Sequence, residues 1–254
     1  MSLTRLALRV AAPVPQVESF DRFLFVGPHP DDIEIGAGAT AAKLAANGKQ
    51  VCFLICTDGR YGDGHTDQKG DALVQLRQEE SRKAASVLGV QDVRFLGLSD
   101  GGFYDPSDLV RGIAQTIADF QPDIIFAPDP CVKSEGHPDH LNVGEAVRRL
   151  ACFASYDGIM LEHGAKGAPV KAIAFYMTAR PNRYVKTVGF VQKQLEAVFG
   201  CHLSQFPKGG SDAKLVSLYL KLRSFDFGLR SFKGQAEGFR VLGALHMHCM
   251  PESE

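Results

Sequence analysis

Short apolar runs alternate along this chain with longer stretches of helical spacing, and that alternation sets the expected fold. Phe23-Leu24-Phe25-Val26, Val51-Cys52-Phe53-Leu54-Ile55-Cys56, Val93-Arg94-Phe95-Leu96 and Ile124-Ile125-Phe126-Ala127 are each of strand length. Their near-continuous apolarity is the mark of strands covered on both faces. Between them, Ala37 to Asn47, Leu73 to Leu88 closed by Gly89, and Leu109 to Phe120 stopped by Pro122 read as helices. Strand and helix in strict alternation predict a parallel sheet with right-handed crossovers. An order of 3-2-1-4 makes the first and fourth strands neighbours at a switch point, where open α/β sheets bind their ligands.

The second half is less regular. Leu141 to Ala154 reads as a helix ending near Tyr156, and Ala172-Ile173-Ala174-Phe175-Tyr176-Met177 as a fifth strand. Lys186 to Phe199 and Lys214 to Phe227 read as helices parted by Gly209-Gly210, and Arg240 to His246 as a last strand. No linker, repeat or charge run divides the chain. The expectation is an α/β fold, a Rossmann-like, mostly parallel sheet with helices on both faces. It forms one domain, 22–254, after an irregular lead or N-terminal strand at 1–21. The lead carries Arg5 and Arg9 but shows no signal-type cleavage pattern.

Composition narrows the class. The 254 residues are 45% hydrophobic, enough for a sizeable core. The formal charge is -1 with no basic block, which argues against a nucleic-acid binder. Six cysteines occur without C-x-x-C pairing, and Cys52 and Cys56 sit in an apolar strand, so a reducing cytoplasm fits best. No run approaches the ~18 apolar residues of a membrane span.

The chemistry concentrates after the first and fourth strands. Gly27-Pro28-His29-Pro30-Asp31-Asp32 offers one imidazole and two carboxylates within four residues. Pro30 pushes His29 into an extended conformation, and a turn after it can bring His29 and Asp32 to one point. Neighbouring aspartates face different ways, so one can ligate a metal while the other handles a proton. A helix capped by Asp is the plain alternative, and it explains only one of the two. Gly136-His137-Pro138-Asp139-His140 follows the fourth strand, with Pro138 suited to the first helical position. His137 and His140, three apart, can share a helix face. Two such stretches after separate strands look like halves of one site.

His-Pro-Asp-Asp with His-Pro-Asp-His at mid-chain resembles the zinc-dependent de-N-acetylases of the LmbE/PIG-L family. Thr57-Asp58-Gly59, Leu76-Arg77-Gln78-Glu79-Glu80, Leu96 to Gly101, Ser204-Gln205-Phe206 and Ala236-Glu237-Gly238-Phe239 also match family positions, over roughly residues 22 to 245. The chain departs from the family in continuing Ile33-Glu34 after the first motif and in carrying Ala37 and Ala39. The resemblance implies hydrolysis of an N-acetyl group on an N-acetylglucosamine-type sugar or conjugate. It implies His29, Asp32 and His140 as ligands of Zn2+ or another divalent metal such as Fe2+, and Asp31 as general base. His137, as an imidazolium, would stabilise the oxyanion or protonate the departing amine, and Asp139 would orient an imidazole. Arg77 and Asp100 would contact substrate, with Asp58, Arg60 and Tyr61 at the mouth, and the loop from Arg60 to Gly70 is long enough for a lid. A homo-oligomer stays open.

Two other readings compete. Gly36-Ala37-Gly38-Ala39-Thr40-Ala41 matches G-x-G-x-x-A, with Asp58 roughly 20 residues beyond Gly38, as in dinucleotide sites. Those glycines come well after the strand ends, however, and a pyrophosphate there would meet two carboxylates; tight helix packing is the better use for them. A non-catalytic sugar-binding module would need neither Asp31 nor a metal. His246, His248 and Cys249 form an H-x-H-C cluster, with both histidines expected on one strand face, read as structural.

Overall fold

The four apolar runs of the first half become strands β1 (Arg22–Gly27), β2 (Gln50–Thr57), β3 (Asp92–Leu98) and β4 (Ile124–Pro128), all paired in parallel. The computed structural model describes residues 3–248. Among them, seven strands form one sheet in the order β3-β2-β1-β4-β5-β7-β6, where β5 is Ala172–Tyr176, β6 Arg183–Lys186 and β7 Ala236–Gly243. The expected 3-2-1-4 order is therefore observed, with β1 and β4 side by side. Successive residues of β1 point to opposite faces. Phe23 and Phe25 pack with α2 (Asp32–Ala46) and α3 (Gly70–Leu88); Leu24 and Val26 pack with α4 (Pro106–Phe120) and α5 (Pro138–Phe153). Both faces are thus covered, which is why the central strands read as unbroken apolar runs.

The chain departs from expectation at its two ends. The lead is not irregular: it forms helix α1 (Leu3–Ala11) and a 3-10 turn at Val17–Ser19, with Val17 and Phe20 buried in the core. Arg183 Nε donates to the carbonyl of Pro15 at 3.1 Å and so ties the lead to β6. After α6 (Asp157–Glu162) and β5 the sheet turns antiparallel, β7 pairing with both β5 and β6. The helix expected over 186–199 is shortened to α7 (Val191–Glu196) followed by a π-helical turn at Ala197–Cys201, because residues 183–186 are drawn into the sheet. The long α8 (Ser211–Ser231) follows.

The last strand begins at Ala236, not Arg240, and ends where its pairing with Ala172 ends, at Gly243. His246 therefore lies in a 3-10 turn, Ala244–Met247, its Nδ1 accepting from the Gly243 N–H at 3.2 Å and its Nε2 2.9 Å from the Ala12 carbonyl. His248 rests beside Cys152, 3.6 Å from Nε2 to Sγ. The two histidines do not share a strand face; Cys249 lies outside the described residues. Among the described residues no helix is long and apolar enough to cross a membrane.

Helix α2 matters most to the site, and it is two helices joined at a kink. Ala37 leaves helical geometry (φ −151°, ψ 16°), which frees backbone groups on either side. Gln194 of α7 donates to the carbonyls of Glu34 (2.8 Å) and Ile35 (3.2 Å). Glu237 of β7 accepts from the N–H groups of Ala39 (3.2 Å) and Thr40 (2.7 Å). Gly36 and Gly38 lie inside this helix rather than before it. A Cβ on Gly36 would fall 2.2 Å from the ring of Tyr176, and one on Gly38 3.1 Å from Gln194. Packing accounts for both glycines, which removes the dinucleotide fingerprint's main support.

Burial pushes the Glu237 carboxyl from its usual 4.5 up to about 7, against the pull of its bonds from Thr40 and Ala39. A folded-state value above the unfolded one stabilises fully at low pH, and the contribution is lost as pH rises from about 4.5 through about 7. Glu237→Gln should therefore lose thermal stability relative to wild type most at pH near 5 and least near 8. A gap between the two melting temperatures that is constant with pH contradicts this.

Candidate active site

β1 ends at Gly27, and the next turn is pinned to β2 by Thr57, whose N–H and Oγ1 both donate to the Pro28 carbonyl at 2.8 Å. His29 follows at the sheet's carboxyl edge. Asp31 caps α2 with φ at +119°, a conformation that costs a non-glycine residue of order 1–3 kcal/mol. Asp32 begins the helix proper. From the neighbouring strand β4, the loop 129–137 brings His137 to the N-cap of α5, with Pro138 at its first position and His140 one turn on. The switch point thus receives both halves of the constellation.

His29, Asp32 and His140 converge. Each offers one ligand atom, and these lie within 4.8 Å of one another. Nδ1 of His29 is 3.0 Å and Nε2 of His140 3.3 Å from Oδ2 of Asp32. A second trio, His29, His137 and Asp139, meets the same distance limit. The first fits a metal better. Asp139 is already committed, accepting from Gly101 N (2.7 Å) and Gly102 N (2.9 Å) and facing Nε2 of His29 at 3.0 Å. His140 is held likewise, its Nδ1 3.0 Å from Oε2 of Glu135. Each imidazole of the first trio therefore turns one nitrogen to Asp32 and the other to an orienting carboxylate, the arrangement of metal-ligating histidines. Two imidazoles and a carboxylate are a donor set that would suit a catalytic divalent metal.

The electrostatics favour a cation at this point. Burial works against protonation of His29, but hydrogen bonds to Asp139 and Asp32 outweigh it and raise the imidazole to about 10. Burial likewise opposes the charge on Asp32, yet His140 and His29 hold its carboxyl well below the usual range. Its neighbour goes the other way: burial lifts Asp31 to about 6, with Arg77 pulling it back. Adjacent carboxyls forced apart in this way can take different roles.

Asp31, Arg77, Asp100 and His137 line an open cavity of about 400 Å³ with His29, Gly62 and Gln205, and with Tyr61 and Phe103 exposed at its rim. Of the trio, only His29 is among its walls. Arg77 is buried; its Nη2 donates to the Pro30 carbonyl (2.7 Å) and lies 3.3 Å from Oδ2 of Asp31. Among the described residues, Nε of Arg77 and Oδ1 of Asp100 are buried without a partner. His137 is half-exposed, and its Nδ1 accepts from the Asp139 N–H at 3.3 Å, which leaves the proton of a neutral ring on Nε2. Burial and the charge of His29 push His137 below the usual histidine range, so its surroundings favour the neutral ring over an imidazolium. Asp58 is buried and bound by Arg60, Nε to Oδ2 at 2.7 Å. The loop 60–70 carries both rim residue Tyr61 and Gly62 into the cavity.

Sequence reasoning missed Glu135, although an acid two residues before His137 was the available signal. It also missed His202, fully buried with Nε2 3.3 Å from Oε1 of Glu34, whose charge adds to that of Arg77 in lowering Asp31. Nothing local in the sequence links His202 to Asp31. Gln205 had been matched only as a family position, and it donates to the Gly62 carbonyl at 2.6 Å.

Comparison with known proteins places these features in a family. The GlcNAc-PI de-N-acetylase (PIG-L) profile matches residues 24–151. A diacetylchitobiose deacetylase from Thermococcus kodakarensis is 32% identical over 98% of this chain and 92% of its own length. A 1D-myo-inositol 2-acetamido-2-deoxy-alpha-D-glucopyranoside deacetylase from Kineococcus radiotolerans is 32% identical over 69% of this chain and 56% of its own. The solved structure of N,N'-diacetylchitobiose deacetylase from Pyrococcus horikoshii, in complex with an inhibitor, superposes with a TM-score of 0.87 at 27% identity, covering 99% of this chain and 97% of that one. The chain described here belongs to the PIG-L family of GlcNAc-PI de-N-acetylases.

Proposed function

We propose that this protein is a metal-dependent hydrolase that removes the N-acetyl group from an N-acetylglucosamine-type sugar or small glycoconjugate. The observation that carries the reading is the convergence of His29, Asp32 and His140, each imidazole braced by a second carboxylate, beside a cavity into which Asp31 faces. The relatives' activities on diacetylchitobiose and on an acetamido-deoxyglucopyranoside support the substrate class.

His29, Asp32 and His140 would hold the divalent ion, zinc or Fe2+. Such an ion supplies Lewis acidity and makes water easier to ionise near neutral pH. The chain's own groups do the rest. Asp31, raised to about 6, is a stronger base than an ordinary aspartate yet ionised at neutral pH, and it takes the proton of the attacking water. The Nε2–H of His137 donates to the oxygen as the carbonyl becomes tetrahedral, a role a neutral imidazole can fill. The C–N bond then breaks, and the proton held by Asp31 goes to the departing nitrogen, releasing acetate and a free amine. Arg77 holds Asp31 in place, and Oδ1 of Asp100 is an acceptor waiting for a sugar hydroxyl. Asp139 and Glu135 orient the two ligating imidazoles. The five cysteines among the described residues are all free, two of them buried in the sheet, which fits a reducing cytoplasm.

The test is amine release from a panel of N-acetylated sugars, glucosamine derivatives and disaccharides included. Turnover of at least one should vanish on chelation and return on adding Zn2+ or Fe2+. Sugar binding without amine release under any metal would make the chain a binding module instead. Within an active assay, Asp100→Ala should lower kcat/KM by about ten- to a hundredfold, the cost of one lost hydrogen bond to a buried polar group, chiefly through KM. An unchanged KM removes Asp100 from substrate binding.

A further inference from the structure

Two aromatic rings stand in water at the mouth of the cavity. Tyr61 and Phe103 are 60% and 72% exposed, although both line the same hollow as Asp31 and Asp100. They come from separate loops, one after β2 and one between β3 and α4, and meet edge to face with centroids 5.8 Å apart and planes at 78°. The backbone under each is pinned. Around Tyr61, the Gly59 carbonyl accepts from Nη1 of Arg77 at 3.0 Å and the Gly62 carbonyl from Nε2 of Gln205 at 2.6 Å. The N–H of Tyr61 itself donates to Oδ2 of Asp100 at 3.4 Å. Just before Phe103, Gly101 and Gly102 take positive φ and donate to Asp139, the carboxylate that also faces His29. Stiff apolar rings are thus held on fixed backbone, in water, at the edge of a site. An aromatic side chain has only two torsions to lose when it is covered, so such a surface binds at low entropic cost.

We propose, on the reading that the chain deacetylates an N-acetylglucosamine-type sugar, that Tyr61 and Phe103 form a subsite for a second sugar ring joined glycosidically to the reacting one. The hollow is graded from polar to apolar. Its inner wall carries Asp31, Arg77 and His137, with Oδ1 of Asp100 buried and without a partner. The acetamide and hydroxyls of one ring match that wall. The rim offers arenes instead. A pyranose ring keeps its hydroxyls round its edge and presents C–H bonds on its faces, and polarised C–H meets the negative face of an arene favourably. A ring reaching the rim has left the polar wall behind, so its gain comes chiefly through that C–H face. Because Asp100 accepts from the Tyr61 N–H, the rim begins where the hydroxyl acceptor ends, and consecutive rings fall on consecutive parts of the hollow. The two arenes stand nearly perpendicular and make a corner, which a seated ring covers on both sides. A free monosaccharide, held at the polar end, leaves that corner wet. Tyr61 and Phe103 therefore select the length of the substrate and take no part in the bond cleavage.

The experiment has a kinetic arm and a binding arm. In the first, amine release from N,N'-diacetylchitobiose and from free N-acetylglucosamine is compared across rim variants of the full chain. Tyr61→Ala and Phe103→Ala should each lose kcat/KM for the disaccharide about five- to tenfold more than for the monosaccharide, through KM, which is the scale of one aromatic contact. Tyr61→Phe, which keeps the ring and drops the hydroxyl, should retain the wild-type preference. In the second arm, Phe103→Trp places an indole at the rim of a chain that has no tryptophan. Chitobiose, the fully deacetylated disaccharide, should shift its emission saturably, at concentrations where glucosamine does not. This arm needs no turnover, so it separates the two readings. An emission response to chitobiose with no amine release from either sugar upholds the rim and sinks the deacetylase reading. Equal losses on both sugars, a preference abolished by Tyr61→Phe, or an indole that answers glucosamine as readily as chitobiose each overturns the subsite.

Discussion

The carboxylate of Asp32 lies between two imidazoles that arrive from different strands, Nδ1 of His29 at 3.0 Å after β1 and Nε2 of His140 at 3.3 Å in α5 after β4. A buried anion left alone costs several kcal/mol, so this group is tolerable only with positive partners in place. Much of the surrounding structure answers to that requirement. β1 and β4 must be adjacent, which the switch-point order provides. Each imidazole must turn a nitrogen toward Asp32, which Asp139 and Glu135 secure from behind. Both carboxylates are in turn bonded to backbone N–H groups, Asp139 to Gly101 and Gly102 and Glu135 to His137, so the bracing is rigid rather than incidental.

Placing Asp32 at the helix start forces its neighbour into an awkward position, and the enzyme's proposed base is that neighbour. Asp31 takes up a strained backbone with φ at +119°. Strain of this order persists only where the surroundings over-determine it. Here Arg77 bonds both the preceding carbonyl of Pro30 and the Asp31 carboxylate, and the kinked α2 fixes the turn that follows. Gln194 and Glu237 satisfy the backbone groups freed by the kink, so residues far along the chain support the first turn of α2. Two chemically identical side chains thus acquire opposite character from their surroundings: Asp32 is held as an anion by two imidazoles, while Asp31, buried, holds its proton more readily.

The parallel half of the fold was legible because strands buried on both faces must be apolar throughout, and the convergence of His29, Asp32 and His140 because two His-Pro-Asp stretches follow neighbouring strands. What the sequence did not disclose depends on distant pairing. β6 is four residues long with only Val185 buried, and it is a strand only because β7 lies beside it. His246 leaves the strand because the partner strand β5 runs out at Ala172. Arg77 lies well inside α3 rather than at a helix start, and it lines the cavity while buried against Asp31, a relation that no spacing encodes. His202, at the end of a π-helical turn, acts on the same carboxylate through its charge. The neutral preference of His137 follows from burial and the nearby His29, neither visible in its own motif.

In the proposed mechanism Asp31 and Asp32, adjacent and identical, do different work, one moving a proton and one holding a metal. Metal content and turnover of Asp31→Asn and Asp32→Asn, measured side by side, test it most directly. Asp31→Asn should retain stoichiometric metal and lose turnover by the ~10²–10⁴-fold of a missing general base. Asp32→Asn should lose metal on dialysis and regain part of its activity when Zn2+ is supplied in excess. An Asp31→Asn protein that loses its metal, beside an Asp32→Asn protein that keeps metal and is inactive, would contradict it.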